Sequence, residues 1–94
     1  MYYRGYLLVR LKTIGREWDL AKKLKGMKSK EPEDDWKITY ATPVYGGWDV
    51  IVECCFRELK DLDRIVSYCR ADKEIGNWMD ETTTLISLYN DYPG

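Results

Sequence analysis

The stretch Trp36-Lys-Ile-Thr-Tyr-Ala-Thr-Pro-Val-Tyr-Gly-Gly-Trp-Asp-Val-Ile-Val-Glu-Cys-Cys-Phe56 decides the fold. Its two strand-like runs, 36–45 and 48–56, are separated only by Gly46-Gly47. Paired glycines permit the positive φ angles of tight two-residue turns, so the stretch reads as a β-hairpin. Pro43 has no amide to give to a ladder, which places the first of these strands at a sheet edge. Val50, Val52, Cys54 and Phe56 alternate onto one apolar face, which places the second at the centre.

Working outward, residues 2–12 are rich in Tyr, Leu and Val and read as a strand covered on both faces. Residues 16–25 set Trp18, Ala21 and Leu24 at helical spacing with Leu20 beside them, and Gly26 supplies a stop. A hydrophilic connector, 28–35, leads to the hairpin. Beyond it, 58–69 places Leu59, Leu62, Val66 and Cys69 on one stripe with Ile65 alongside, opposite Lys60, Asp61, Asp63 and Arg64. Residues 71–80 read as a polar connector, 81–89 as a Thr-rich last strand and 90–94 as a tail. The order β-α-β-β-α-β predicts one α+β domain over 1–94, a ferredoxin-like sandwich. Its four-stranded antiparallel sheet carries both helices on one face, with the first and third strands central.

Alternation then divides the sheet. The set assigned to the helices, Leu7, Val9, Leu11, Ile38, Tyr40, Val44, Val50, Val52, Cys54, Phe56, Ile86 and Leu88, is nearly all apolar. The opposite set, with Tyr6, Leu8, Arg10, Thr39, Ala41, Ile51, Glu53, Cys55, Thr83 and Leu85, is too apolar for a free surface and too polar for a core. A 94-residue chain buries only about 60% of its unfolded surface, so a second copy packed on this face supplies the missing burial. Tyr6, Leu8, Arg10, Ile51, Glu53 and Leu85 are therefore the predicted homodimer interface.

Composition narrows the chemistry. The 15 Lys and Arg against 16 Asp and Glu leave a net charge of −1, which lacks the basic signature of a general nucleic-acid binder. With no histidine, Ser-His and Cys-His nucleophile pairs and the HExxH zinc site are excluded. Cys54, Cys55 and Cys69 are odd in number, without CxxC spacing, and read as core thiols of a reducing cytoplasm, with no metal and no cofactor implied. No run approaches the ~18 apolar residues of a membrane span.

Other features resolve similarly. Asp49 and Glu53 stand about 13 Å apart along a strand, beyond the ~5–9.5 Å of paired catalytic carboxylates. Glu53 is expected to pair with Arg10 on the neighbouring strand or with an arginine of a partner chain, and Asp49 to cap the turn through its carboxylate. The open face carries Asp49, Ile51 and Glu53 where a nucleic-acid-binding sheet needs aromatic and basic residues, so direct nucleic-acid binding is not expected. Lys22, Lys23, Lys25, Lys28 and Lys30 read as a solvated face. The turn Tyr45-Gly46-Gly47-Trp48-Asp49 is the most specific feature: glycines expose backbone amides, Asp49 suits an ammonium group, and Thr82, Thr83 and Thr84 offer hydroxyls to a carboxylate.

Three of these runs, Val44-Tyr-Gly-Gly-Trp-Asp-Val-Ile-Val-Glu53, Leu59-Lys-Asp-Leu-Asp-Arg64 and Thr82-Thr-Thr-Leu-Ile86, occur in an order that resembles the regulation-of-amino-acid-metabolism (RAM) domain. This is the effector-binding half of Lrp/AsnC transcriptional regulators. The resemblance implies a dimeric α/β barrel, sometimes a higher oligomer, that binds an amino acid or related small effector near the Gly-x-x-Asp turn at subunit interfaces. By position, Gly46, Trp48 and Asp49 match that turn, and Thr82, Thr83 and Thr84 match the start of the last strand. The chain opens on the first strand of this domain, so it resembles the stand-alone form, expected to regulate full-length Lrp/AsnC proteins by co-assembly. The connector at 27–35 is longer than the family's, and Gly47 takes a place that is often acidic or polar. The rivals are a small monooxygenase or isomerase of the dimeric α/β-barrel class, an ACT-like domain binding its ligand near residues 13–15, and a ligand-free oligomerisation module.

Overall fold

A computed structural model describes residues 2–88. Its elements run β1 (Tyr3–Leu11), α1 (Glu17–Leu24), β2 (Trp36–Pro43), β3 (Val50–Phe56), α2 (Lys60–Ala71), α3 (Lys73–Trp78) and β4 (Met79–Ile86). The strands form one antiparallel sheet in the order β2-β3-β1-β4, with Pro43 on the edge strand. The helices cover one face. This is the ferredoxin-like arrangement expected from the sequence, with one helix added.

The core sits where the period-2 pattern put it. Leu7, Val9 and Leu11 from β1 meet Val50, Val52, Cys54 and Phe56 from β3, under Leu20, Ala21 and Leu24 of α1 and Leu62, Ile65 and Cys69 of α2. All three cysteines are free and buried. Burial pushes the Cys54 thiol up to about 12 and the Cys69 thiol up to about 11, so both stay protonated and serve as small apolar groups.

Several expectations are corrected. Residues 71–80 are not a plain connector. Asp72 Oδ1 accepts hydrogen bonds from the Glu74 and Ile75 amides, both at 3.0 Å, and so caps α3. Ile75 at its centre is buried. The close approach of this turn requires Gly76, where a Cβ would stand 2.4 Å from the Arg70 carbonyl oxygen. In α2, Asp61 is not on the solvated side: it is 2% exposed and accepts from the Glu58 amide at 3.1 Å, whereas Leu59 lies outside the core. Trp18 is 60% exposed and does not join the α1 stripe.

On β2 the alternation changes parity. Ile38 pairs with Cys54 and Tyr40 with Glu53, leaving Thr39 as the extra residue of a bulge. One inserted residue exchanges the faces beyond it, so Tyr40 moves to the open face and Ala41 to the core. A second irregularity lies between Arg10 and Leu11 where β1 meets β4. Val44, Ile86 and Leu88, expected in the core against the helices, are exposed. The strand end expected at position 89 and the tail expected at 90–94 lie outside the described residues.

Candidate functional site

The hairpin loop is the first element of the site. It spans residues 44–49 rather than two glycines, and the Val44 amide closes it by donating to the Asp49 carbonyl at 3.0 Å. Gly46 has φ +121°, a conformation that side-chain-bearing residues rarely adopt, whereas Gly47 does not. The expected pair of left-handed glycines is therefore a single one.

Asp49 ties this loop to β1. Its amide donates to the Val9 carbonyl at 2.9 Å, and its Oδ2 accepts from the Leu11 amide at 2.8 Å. Its own carbonyl is taken by Val44, and its side chain serves as an acceptor for β1. Asp49 Oδ1 takes no hydrogen bond among the described residues.

Arg10 holds the loop from the other side. Its Nη2 and Nε donate to the Gly47 carbonyl at 2.7 and 3.2 Å, its guanidinium lies 4.7 Å from the Trp48 ring centroid, and its Nη1 pairs with Glu81. The sequence put Arg10 on the interface and paired it with Glu53. Instead Glu53 accepts from Thr39 Oγ1 at 2.7 Å, within the bulge. Glu81, overlooked in the sequence, is directly opposite Arg10 in the β1–β4 register, a contact legible only once that register is known.

The three threonines do not gather at the turn. Thr82 lies opposite Val9 and receives a hydrogen bond from Arg70 of α2 at 3.4 Å, on the helix side. Thr84 lies opposite Leu7 on that side, and Thr83 lies opposite Leu8 on the open face.

Next to the hairpin loop, the β1–α1 loop and α1 complete a half-open cavity of about 440 Å³. Ile14, Trp18, Pro43, Val44 and Tyr45 form its apolar walls, and Glu17 and Asp49 are its only charged lining groups among the described residues. Glu17 Oε1 accepts from the Gly15 amide at 3.0 Å. The cavity thus unites the hairpin turn with residues near 13–15, two places that the sequence treated as alternatives.

The open sheet face forms cross-strand rows. One runs Thr42, Ile51, Leu8, Thr83, and the next runs Tyr40, Glu53, Tyr6, Leu85. Leu85 is 50% exposed, Tyr40 is largely exposed, and Tyr6, Leu8 and Ile51 are half-buried. All six expected interface residues therefore share one face, with Tyr40 joining them through the bulge. No group of metal ligands occurs among the described residues, nor does a helix long and apolar enough to cross a membrane.

No family model and no curated protein matches the chain. Solved structures do. A hypothetical protein from Pyrococcus horikoshii is 25% identical with a TM-score of 0.66, covering 97% of this chain and 94% of that one. FFRP-DM1 is 26% identical with a TM-score of 0.64, covering 92% of this chain and 99% of its own. A transcriptional regulator from Neisseria meningitidis, solved as a complex with L-Met, shares the fold at 12% identity and a TM-score of 0.62, and this chain spans 52% of it. Fold and neighbours agree with the motifs: the chain is similar to a RAM-like module of the Lrp/AsnC regulators. FFRP-DM1 is matched over nearly its whole length, the Neisseria regulator over about half of its own.

Proposed function

We propose that the chain is a stand-alone effector-binding module of the Lrp/AsnC type, cytoplasmic and non-catalytic. It works as a homodimer closed through its open sheet faces, binds an amino acid or related small effector beside the 45–49 turn, and regulates transcription factors by co-assembly with full-length Lrp/AsnC proteins. The observation that carries this reading is the match to FFRP-DM1, 26% identical over 92% of this chain. The Neisseria regulator's complex with L-Met supports an amino-acid-like effector. The half-exposed apolar rows of the sheet supply the self-complementary surface that a two-fold dimer needs.

A thermal-shift screen with the standard amino acids and their decarboxylated amines tests the effector role. Binding to the folded state raises the melting temperature by mass action. A shift with at least one compound supports the reading, and no shift with any of them removes it.

A further inference from the structure

The cavity between the hairpin loop and α1 differs chemically from the site expected for a zwitterion. A zwitterion needs an acceptor for its ammonium and a donor or cation for its carboxylate. The expected donors, Thr82, Thr83 and Thr84, do not line the cavity. Among the described residues, no lysine or arginine lines it either. The neighbouring arginines are committed elsewhere: Arg16 pairs with Asp19 and lies over Trp78, and Arg10 holds Gly47 and Glu81.

What the cavity does offer is of one kind. Glu17 and Asp49 approach it from different elements, each with one oxygen fixed by a backbone amide, from Gly15 and Leu11 respectively. In each carboxylate the second oxygen takes no hydrogen bond among the described residues. Trp18 and Tyr45 present exposed rings beside them. Two carboxylates, each with one oxygen fixed, and two exposed aromatic rings around one cavity complement a cation with an apolar body, through charge-assisted hydrogen bonds and cation–π contact. A volume of about 440 Å³ falls within the ~300–1,000 Å³ of small-molecule sites.

We infer that this cavity binds an organic cation, a primary amine or guanidine on an aromatic or aliphatic body without a carboxylate. The inference rests on the proposed effector role of this end of the molecule and narrows its ligand class. A carboxylate in the ligand faces Glu17 and Asp49 with no compensating cation lining the cavity among the described residues, so amines are selected over the amino acids from which they derive.

Calorimetric titration with tryptamine, L-tryptophan, indole-3-propionate, agmatine and L-arginine tests it. Each amine is expected to bind about tenfold more tightly than its amino acid, with indole-3-propionate not binding. Glu17→Gln and Asp49→Asn retain acceptors for the Gly15 and Leu11 amides, so the loops keep their anchors. Each is expected to weaken amine binding about tenfold. An amino acid that binds as tightly as its amine overturns the inference while leaving the effector role intact, as does amine binding that neither substitution weakens. If no amine and no amino acid binds, the effector role falls and the inference with it.

Discussion

Asp49 and Leu11 are joined by a side-chain hydrogen bond of 2.8 Å at the point where the regular β1–β4 ladder breaks. The carboxylate accepts a strand amide, while the Asp49 carbonyl closes the hairpin loop by accepting from Val44. Asp49 is thus a structural residue as well as a candidate ligand group. Asp49→Ala leaves a part-buried amide unpaired and is expected to lower stability by about 1–3 kcal/mol, read by urea unfolding. Asp49→Asn keeps an acceptor and is expected to lose less than half of that. Equal losses contradict the anchoring role.

The two glycines of the loop separate in the same measurement. Gly46 has φ +121°, so Gly46→Ala is expected to cost about 1–3 kcal/mol in backbone strain. Gly47 has no positive φ, and a Cβ added there would meet nothing within 4 Å, so Gly47→Ala is expected to stay within about 0.5 kcal/mol of the native chain. A larger loss at Gly47 would contradict the loop conformation.

The sequence reveals the sheet wherever alternation is uninterrupted. Leu7 and Val9, with Val50, Val52, Cys54 and Phe56, place the core correctly because the β1–β3 register runs unbroken across them. On β2 the pattern fails at Thr39, since one extra residue exchanges the faces of Tyr40 and Ala41 without leaving a compositional mark. The short α3 was signalled by Asp72 followed by Glu74 and buried Ile75, but six residues are too few for a clear helical period. At the site, the 45–49 turn was legible from its glycines, whereas Glu17 and Trp18 reach it only through the return of α1 beside the hairpin. No local spacing encodes that approach.

The buried thiols give stability an alkaline limit. Cys54 and Cys69 have folded-state values of about 12 and about 11, above the ordinary value of 9.0. Above pH 9.0 the unfolded chain releases these protons while the folded chain keeps them, so stability falls as pH rises. Each thiol contributes a loss of roughly 1 kcal/mol per pH unit in that range, until its folded value is reached. Urea titrations between about pH 8 and about pH 10.5 should show the unfolding midpoint decline, and Cys69→Ala should flatten the slope. A midpoint that rises with pH over this interval contradicts the assignment.

The open face makes the most direct test of assembly. Leu8 stands between Ile51 and Thr83, and Tyr6 between Glu53 and Leu85, so the rows present apolar side chains at the centre of the sheet with polar groups among them. In the proposed homodimer a second copy would cover this surface, and Arg10 and Glu81, paired with each other in the single chain, would lie near its border. Light scattering at micromolar concentration is expected to give the mass of a dimer. Ile51→Glu places an unpaired carboxylate on the row shared with Leu8 and is expected to weaken association by about 3–5 kcal/mol, at least roughly a hundredfold in dissociation constant. The side chain of Ile51 lies on the sheet face away from the helices, so the substituted monomer should keep its fold by circular dichroism. A native chain that is monomeric, or an Ile51→Glu chain that dimerises unchanged, shows that the second copy does not sit on this face.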